Sequence, residues 1–313
     1  MAQQIQVEIT RLEQATVIER LSIVTPLGLR FWDEVTGRVI GDGLIVTAYP
    51  ETQPSRRVQA ISNPSGVYSL HHLPGLREVE NGAGDAAFWD THPPRFPFIL
   101  EVVDRERRFQ PFLLSLALPV RGVFTGETFM DGSPPGPTFG IPLLSTASRA
   151  VPTAVAVIRA DLWDPQAGPN QQGGPAAWAL LEAQVPGRTA VHALADAQGR
   201  VALIFAYPEI VTTGLASPPD VSPLSPPEGG MSLREQVWPI TLRAAYVRRH
   251  PVARILLLEE ILAQPPARLW DVFSQTELMQ VTLRFGQELI LKSSDESGRP
   301  RSELWITPAG SPP

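Results

Sequence analysis

Apolar and polar residues alternate with a period of two through most of this chain, and turn residues interrupt the alternation at short intervals. That pattern is the mark of half-buried β-strands. It predicts strands at Leu27–Trp32, Leu44–Tyr49 and Val67–His71, with turns at Asp33–Gly37 and Asn63–Gly66. Phe96, Phe98, Leu100 and Val102 share one face of a further strand. The charged run Asp104–Arg108 reads as a hairpin tip, after which the chain returns as Phe109–Leu118. Pro97 and Pro111 fall within these two strands, and a residue without an N–H predicts a sheet edge or a bulge. Leu73–Pro94 has no clear period and reads as an irregular insertion carrying Phe88 and Trp89.

The second half repeats the pattern. Strands are predicted at Ala154–Leu162, Trp178–Val185, Arg200–Tyr207 and Ile240–Ala244, with a turn at Asp196–Gly199. Ala179, Leu181, Ala183 and Val185 lie on one face of theirs, with Glu182 and Gln184 on the other. Arg200–Tyr207 is apolar on both faces, which predicts a central strand. Val252–Gln264 changes period: Ile255, Leu258, Ile261 and Leu262 form a helical face that Pro265-Pro266 would end. Arg268–Phe273 is a second helical candidate, and Gln280–Phe285, Glu288–Lys292 and Leu304–Thr307 return to strands. Residues 1–24 read as an arm or edge strand in which Ile5, Val7 and Ile9 alternate with polar residues.

Composition narrows the function classes. A chain of 313 residues is long enough for two domains. A net charge of −6 argues against a nucleic-acid partner, which calls for a basic stripe. Only Lys292 among the 26 basic residues is a lysine. Arginine suits planar, bidentate pairing at buried or interfacial sites. The absence of cysteine excludes disulfides, thiolate metal sites and a cysteine nucleophile. The N-terminus lacks the apolar core of a signal peptide, and no stretch approaches the roughly 20 apolar residues of a membrane helix. A cytoplasmic protein without membrane insertion is expected. The 33 prolines gather in Asp131–Pro142, Asp164–Pro175 and Pro208–Gly230, which read as semi-rigid connections.

No motif carries chemistry. The five histidines offer one cluster, His71-His72, whose rings would point to opposite faces of a strand. Asp161 and Asp164 flank a tryptophan but read as a strand end entering a turn. Nucleophile-elbow, phosphate-loop and dinucleotide glycine patterns are absent. No catalytic residue, cofactor or metal is expected. Of the seven tryptophans, Trp32 and Trp178 read as core. Trp89, Trp163 and Trp270 fall in predicted loops or short turns. Together with Ile5, Val7 and Ile9 they are the interface candidates, because tryptophan is enriched at binding hot spots.

The run Asp33-Glu34-Val35-Thr36-Gly37-Arg38-Val39-Ile40, then Leu44-Ile45-Val46, the Asn63–Gly66 turn, Val67-Tyr68-Ser69-Leu70 and Leu73-Pro74-Gly75 resembles the carboxypeptidase-regulatory-like family, a transthyretin-like sandwich also seen in CnaB-type modules. The second half matches it loosely through Asp196–Val201. The expected fold is therefore mainly β: two tandem Ig-like/transthyretin-like β-sandwich domains, the second with a short helical insertion near 252–273 that the first lacks. The expected boundaries are an arm at 1–24, a sandwich at 25–125, a Pro/Gly-rich linker at 126–148 and a second sandwich at 149–313. Modules of that family are usually accessory. The chain's overall character resembles accessory subunits of contractile injection systems and phage-tail-like particles. The resemblance implies a non-enzymatic assembly subunit whose partners are other protein subunits, in the cytoplasm or within a released particle. A carbohydrate- or ligand-binding sandwich is the other expectation.

Overall fold

The structure is a computed structural model that describes residues 24–82, 86–126, 140–152, 154–168, 172–209, 235–249, 254–271, 276–295 and 297–309. Ile5, Val7 and Ile9 lie outside the described residues, as does the Asp131–Pro137 run.

The protein is mainly β, with several antiparallel sheets. The first half contains β1 (Leu27–Asp33), β2 (Arg38–Val39), β3 (Leu44–Pro50), β4 (Val58–Gln59), β5 (Ile61–Ser62) and β6 (Val67–Leu70). After helices α1 (Arg77–Gly82) and α2 (Ala86–Asp90) come β7 (Phe96–Asp104), β8 (Phe112–Leu118), β9 (Val123–Phe124) and β10 (Ile141–Pro142). One sheet runs β10–β1–β6–β5, with β2 and β9 also paired to β1, and a second runs β4–β3–β7–β8. Period-two alternation sends Leu27, Leu29 and Phe31 of β1 inward to meet Phe98, Leu100 and Val102 of β7 in one core. Each such side chain contributes about 1.5–3 kcal/mol by leaving water.

The turns close as the sequence predicts. Val35 N–H and Thr36 Oγ1 donate to the Asp33 carboxylate at 3.1 and 2.6 Å, and Gly37 N–H donates to Asp33 O. Asn63, Asp196 and Asp295 each accept from the backbone N–H groups two and four residues on. This shared local bond makes Asx-x-x-Gly a turn-former. Gly199 shows why glycine is required: its φ is +78°, and a Cβ there would lie 2.3 Å from Leu162 O.

Two expectations about the first half change. Leu73–Pro94 carries α1 and α2 and buries Leu76 and Val79, so the first half has helices of its own. β7 is not at an edge but lies between β3 and β8. Pro97 is only its second residue, so the missing donor costs one bond at the end of the ladder. Pro111 precedes β8 altogether.

The second half contains β11 (Val155–Asp164), β12 (Gly174–Pro175), β13 (Leu180–Gln184), β14 (Val191–Leu194), β15 (Arg200–Ala206) and β16 (Val237–Ala245). Helix α3 (Leu258–Leu262) follows, then β17 (Pro266–Asp271), β18 (Thr276–Glu277), β19 (Gln280–Arg284), β20 (Leu289–Leu291) and β21 (Leu304–Pro308). These strands form one sheet in the order β12–β11–β21–β17–β16–β13–β14, with β15 and β20 on β11, β18 on β17 and β19 on β16. The sheet curls into a half-barrel, and β14 comes round to pack against β15. Inside lie Ile158, Leu162, Leu181, Leu203, Ile240, Leu269 and Ile306. The helical candidate Arg268–Phe273 is, as far as Asp271, the strand β17, because pairing with β16 and β21 overrides a weak local period.

The two halves share a core. Trp178, Leu180, Leu194, Leu256, Leu258 and Ile261 belong to the cluster built by the first half. Leu113 N–H of β8 donates to Leu256 O at 2.8 Å. In the stretch expected as linker, β10 pairs in parallel with β1, and Leu143 and Leu144 are buried. β15, expected to be central, pairs among the described residues with β11 alone. Its second apolar face, Ala202 and Ile204, is covered by Val35, Val151 and Val155. The extra hydrophobicity is covered by side chains of its own half together with Val35 of the first half, not by a second paired strand.

Candidate functional site

The outer face of the half-barrel carries a large hollow lined in part by charged side chains. Leu181 and Ala183 of β13 point into the core, so alternation turns Glu182 outward. Register then places His192 of β14 on one side of Glu182 and Arg243 of β16 on the other. His192 Nε2 lies 3.7 Å and Arg243 a guanidinium nitrogen 3.5 Å from the Glu182 carboxylate, while Gln184 Nε2 donates to it at 3.0 Å. The ion contacts are long, and Arg243 keeps 65% of its side chain exposed.

Beside this row the sheet forks. β16 pairs with β19 over Val237–Thr241 and with β17 over Ala244–Ala245. The segment following β18 bridges the fork: Leu278 N–H donates to Leu269 O, and Leu242 N–H donates to Met279 O, both at 2.8 Å. Divergence of the two strands leaves a groove of about 630 Å³, lined by Ala245, Leu262, Ala267 and Leu278 together with Glu182, Glu277 and Met279. Gln264 fixes the far wall. Its Nε2 donates to Trp178 O and Ile261 O, and its Oε1 accepts from Val247 N–H and Arg249.

The structure brings two of the tryptophan candidates together and leaves the third apart. Trp163 and Trp270 stand on strands β11 and β17, not in loops. Trp305 of β21 pairs with both, so Trp163, Trp305 and Trp270 form one row across three adjacent strands. Trp270 is only 8% exposed, and its Nε1 donates to Thr307 Oγ1 at 2.8 Å. Arg301 lies over the Trp305 ring at 5.6 Å. Gly173 abuts Trp163 so closely that a Cβ would sit 2.7 Å from its Nε1. Much of the row is thus packed by the protein itself. Trp89, on α2, is half-buried against the first core, edge-on to Phe88. Trp178 is buried, as expected of a core residue. Sequence spacing could not reveal Trp305 as the middle of the row, because its neighbours come from distant strands.

Elsewhere, the buried carboxylates of Asp33, Asp104 and Asp164 are matched to arginines, while that of Glu80 accepts from His72 N–H. Arg149 grips Asp33 with two nitrogens at 2.9 and 2.6 Å, also donates to Ser145 Oγ, and stacks on Phe109. Burial pushes the Asp33 carboxyl up, but the bonds from Arg149 and Thr36 outweigh it and hold it below its ordinary value. Asp104 behaves alike, its burial outweighed by Arg108. Asp164 is fully buried and held by Arg248 at 2.6 and 2.9 Å, while Asp161 is exposed, so these two acids form no pair. Burial, then the nearby Asp164 charge, pushes the Tyr246 phenol up. Glu34 differs. It borders a hollow of about 470 Å³ between the β1–β2 turn and the ends of β14 and β15, with Arg188 on the opposite wall. The residue is exposed at the surface, yet desolvation of its carboxyl, then the Asp33 charge, pushes it up to about 7. The His71 and His72 rings stand 6.4 Å apart.

Among the described residues, no group of three or more histidines and carboxylates is placed to hold a metal ion, and no helix is long and apolar enough to cross a membrane. Comparison with protein-family models, with curated proteins and with solved structures finds no match to this chain.

Proposed function

We propose that this chain is a non-enzymatic assembly subunit that docks onto partner proteins through the outer face of its half-barrel. The fork groove carries the reading. It is a largely apolar recess with loosely paired charges at its mouth, on a rigid sheet, and its size falls within the roughly 300–1,000 Å³ of ligand-accepting sites. The buried acids Asp33, Asp104 and Asp164 are by contrast already engaged by arginines that hold the fold. We read the two halves as tandem Ig-like/transthyretin-like sandwiches. The Asp33–Gly37 turn and the two-sheet core of the first half support that reading. The partner class implied by the sequence resemblance is a subunit of a contractile injection or phage-tail-like particle, with assembly in the cytoplasm.

Native mass spectrometry of the tagged chain purified from its own cells tests this. A defined complex with other protein subunits is expected, and a lone monomer in every preparation overturns the proposal.

A second reading is carbohydrate binding. The row Trp163–Trp305–Trp270, with Glu277 paired to Trp270, favours it. The covering of that row by Gly173, Arg301 and Thr307 ranks it second.

A further inference from the structure

We infer that the fork groove takes an extended partner segment that places an apolar side chain between β16 and β17 and a lysine or arginine against Glu182 and Glu277. The inference rests on the docking reading and adds the chemistry of what docks.

The apolar lining of the groove selects the apolar part. Ala245, Leu262, Ala267 and Leu278 line it and are only partly buried. Met279, 58% exposed at the mouth, is unbranched and can reshape itself around an incoming side chain.

Charge selects the neighbouring residue. Glu182 is the fixed charge of the mouth, on a central strand with paired neighbours on both sides and an amide bond from Gln184. Glu277 faces the groove from across the fork. Their arginine partners are weak competitors: Arg243 sits 3.5 Å from Glu182 and Arg268 3.8 Å from Glu277, both on long, solvent-exposed side chains. Exposed pairs of this kind are weak. A partner cation seated over an apolar anchor is partly shielded from water and gains more from the same carboxylates. The Arg243 side chain is 65% exposed, whereas that of Glu182 is 24% exposed. A net charge of −6 on the whole chain also favours approach by a basic segment.

Selection of phage-displayed linear peptides against the full chain tests this, with affinities then read by fluorescence anisotropy. The expected consensus is an apolar residue one or two positions from a lysine or arginine. Glu277→Arg and Thr241→Trp, which reverse the mouth charge and fill the mouth, should each weaken binding about tenfold or more. Ile61→Arg, on the first half, should leave it unchanged. Thermal melts of each variant confirm folding. An acidic consensus, failure to enrich any peptide, or equal binding by Thr241→Trp overturns the inference. Native complexes separate the two claims. Partners that still co-purify with Thr241→Trp overturn the groove assignment and leave docking standing, whereas no partner with any form overturns docking itself.

Discussion

The seam between the halves and the groove on the outer face use a carboxylate and an arginine to opposite ends. At the seam, Arg149 and Asp33 are buried, bidentate and supported by Ser145, Thr36 and the Phe109 ring. At the groove, Glu182 and Arg243 lie at a longer distance with the guanidinium in solvent. The first arrangement fills the carboxylate with four hydrogen bonds and buries both partners. The second leaves both partly exposed. An acid–base pair is therefore evidence of a site only when its geometry is unfinished. A finished pair is a joint.

The largest expected effect comes from breaking the joint. Arg149→Ala strands a buried carboxylate and should cost about 3–5 kcal/mol in urea unfolding. The double change Asp33→Asn with Arg149→Met removes both charges and should cost less. Equal losses in the two would mean that the pair contributes packing alone. Acid acts on the same contact. Because the folded Asp33 carboxyl titrates below its unfolded value, its contribution is present above the ordinary aspartate range and is lost as pH falls through the folded value.

Glu34, beside that joint, should show a smaller effect of opposite sign. Its folded value of about 7 lies above the ordinary 4.5, so the folded state loses stability as pH rises between the two and levels off above. Glu34→Gln removes that loss. Its melting temperature should exceed that of the parent at about pH 8 and match it near pH 4.5. Parallel curves for the two proteins across that range would show that the Glu34 proton is not linked to folding. Solvent contact at this residue keeps the effect below what a fully enclosed carboxyl would give.

The groove should show the least. Glu182→Gln, which keeps the shape and removes the charge, should change stability by less than about 1 kcal/mol. A larger loss by thermal melt would make the His192–Glu182–Arg243 row a second structural joint and end the contrast.

Much of the architecture was legible because it depends on neighbours in sequence. Alternation in β1, β3, β7 and β16 fixed which side chains face inward, and the Asp33, Asn63 and Asp196 turns close through bonds spanning two to four residues. Part of the candidate site was legible for the same reason: Glu182 could be assigned to the outer face of its strand from sequence. Its setting could not. His192 and Arg243 reach it through register between separate strands, and the groove exists because β17 and β19 diverge from β16. The short run at Arg268–Asp271 misread as helix for a related reason, since pairing on both sides outweighs a local period too brief to decide.

The sequence by itself determined that this protein is built of strands, where most of them turn, and which faces are apolar, because these follow from side-chain period and local hydrogen bonding. Only the tertiary structure decided what each apolar face meets. β15 has two such faces; one closes the half-barrel and the other receives Val35 from the far end of the chain. Hydrophobic burial is non-directional, so a sequence can state that a surface must be covered but not by what. The partner is chosen by register, curl and the joining of the halves, which no local pattern encodes.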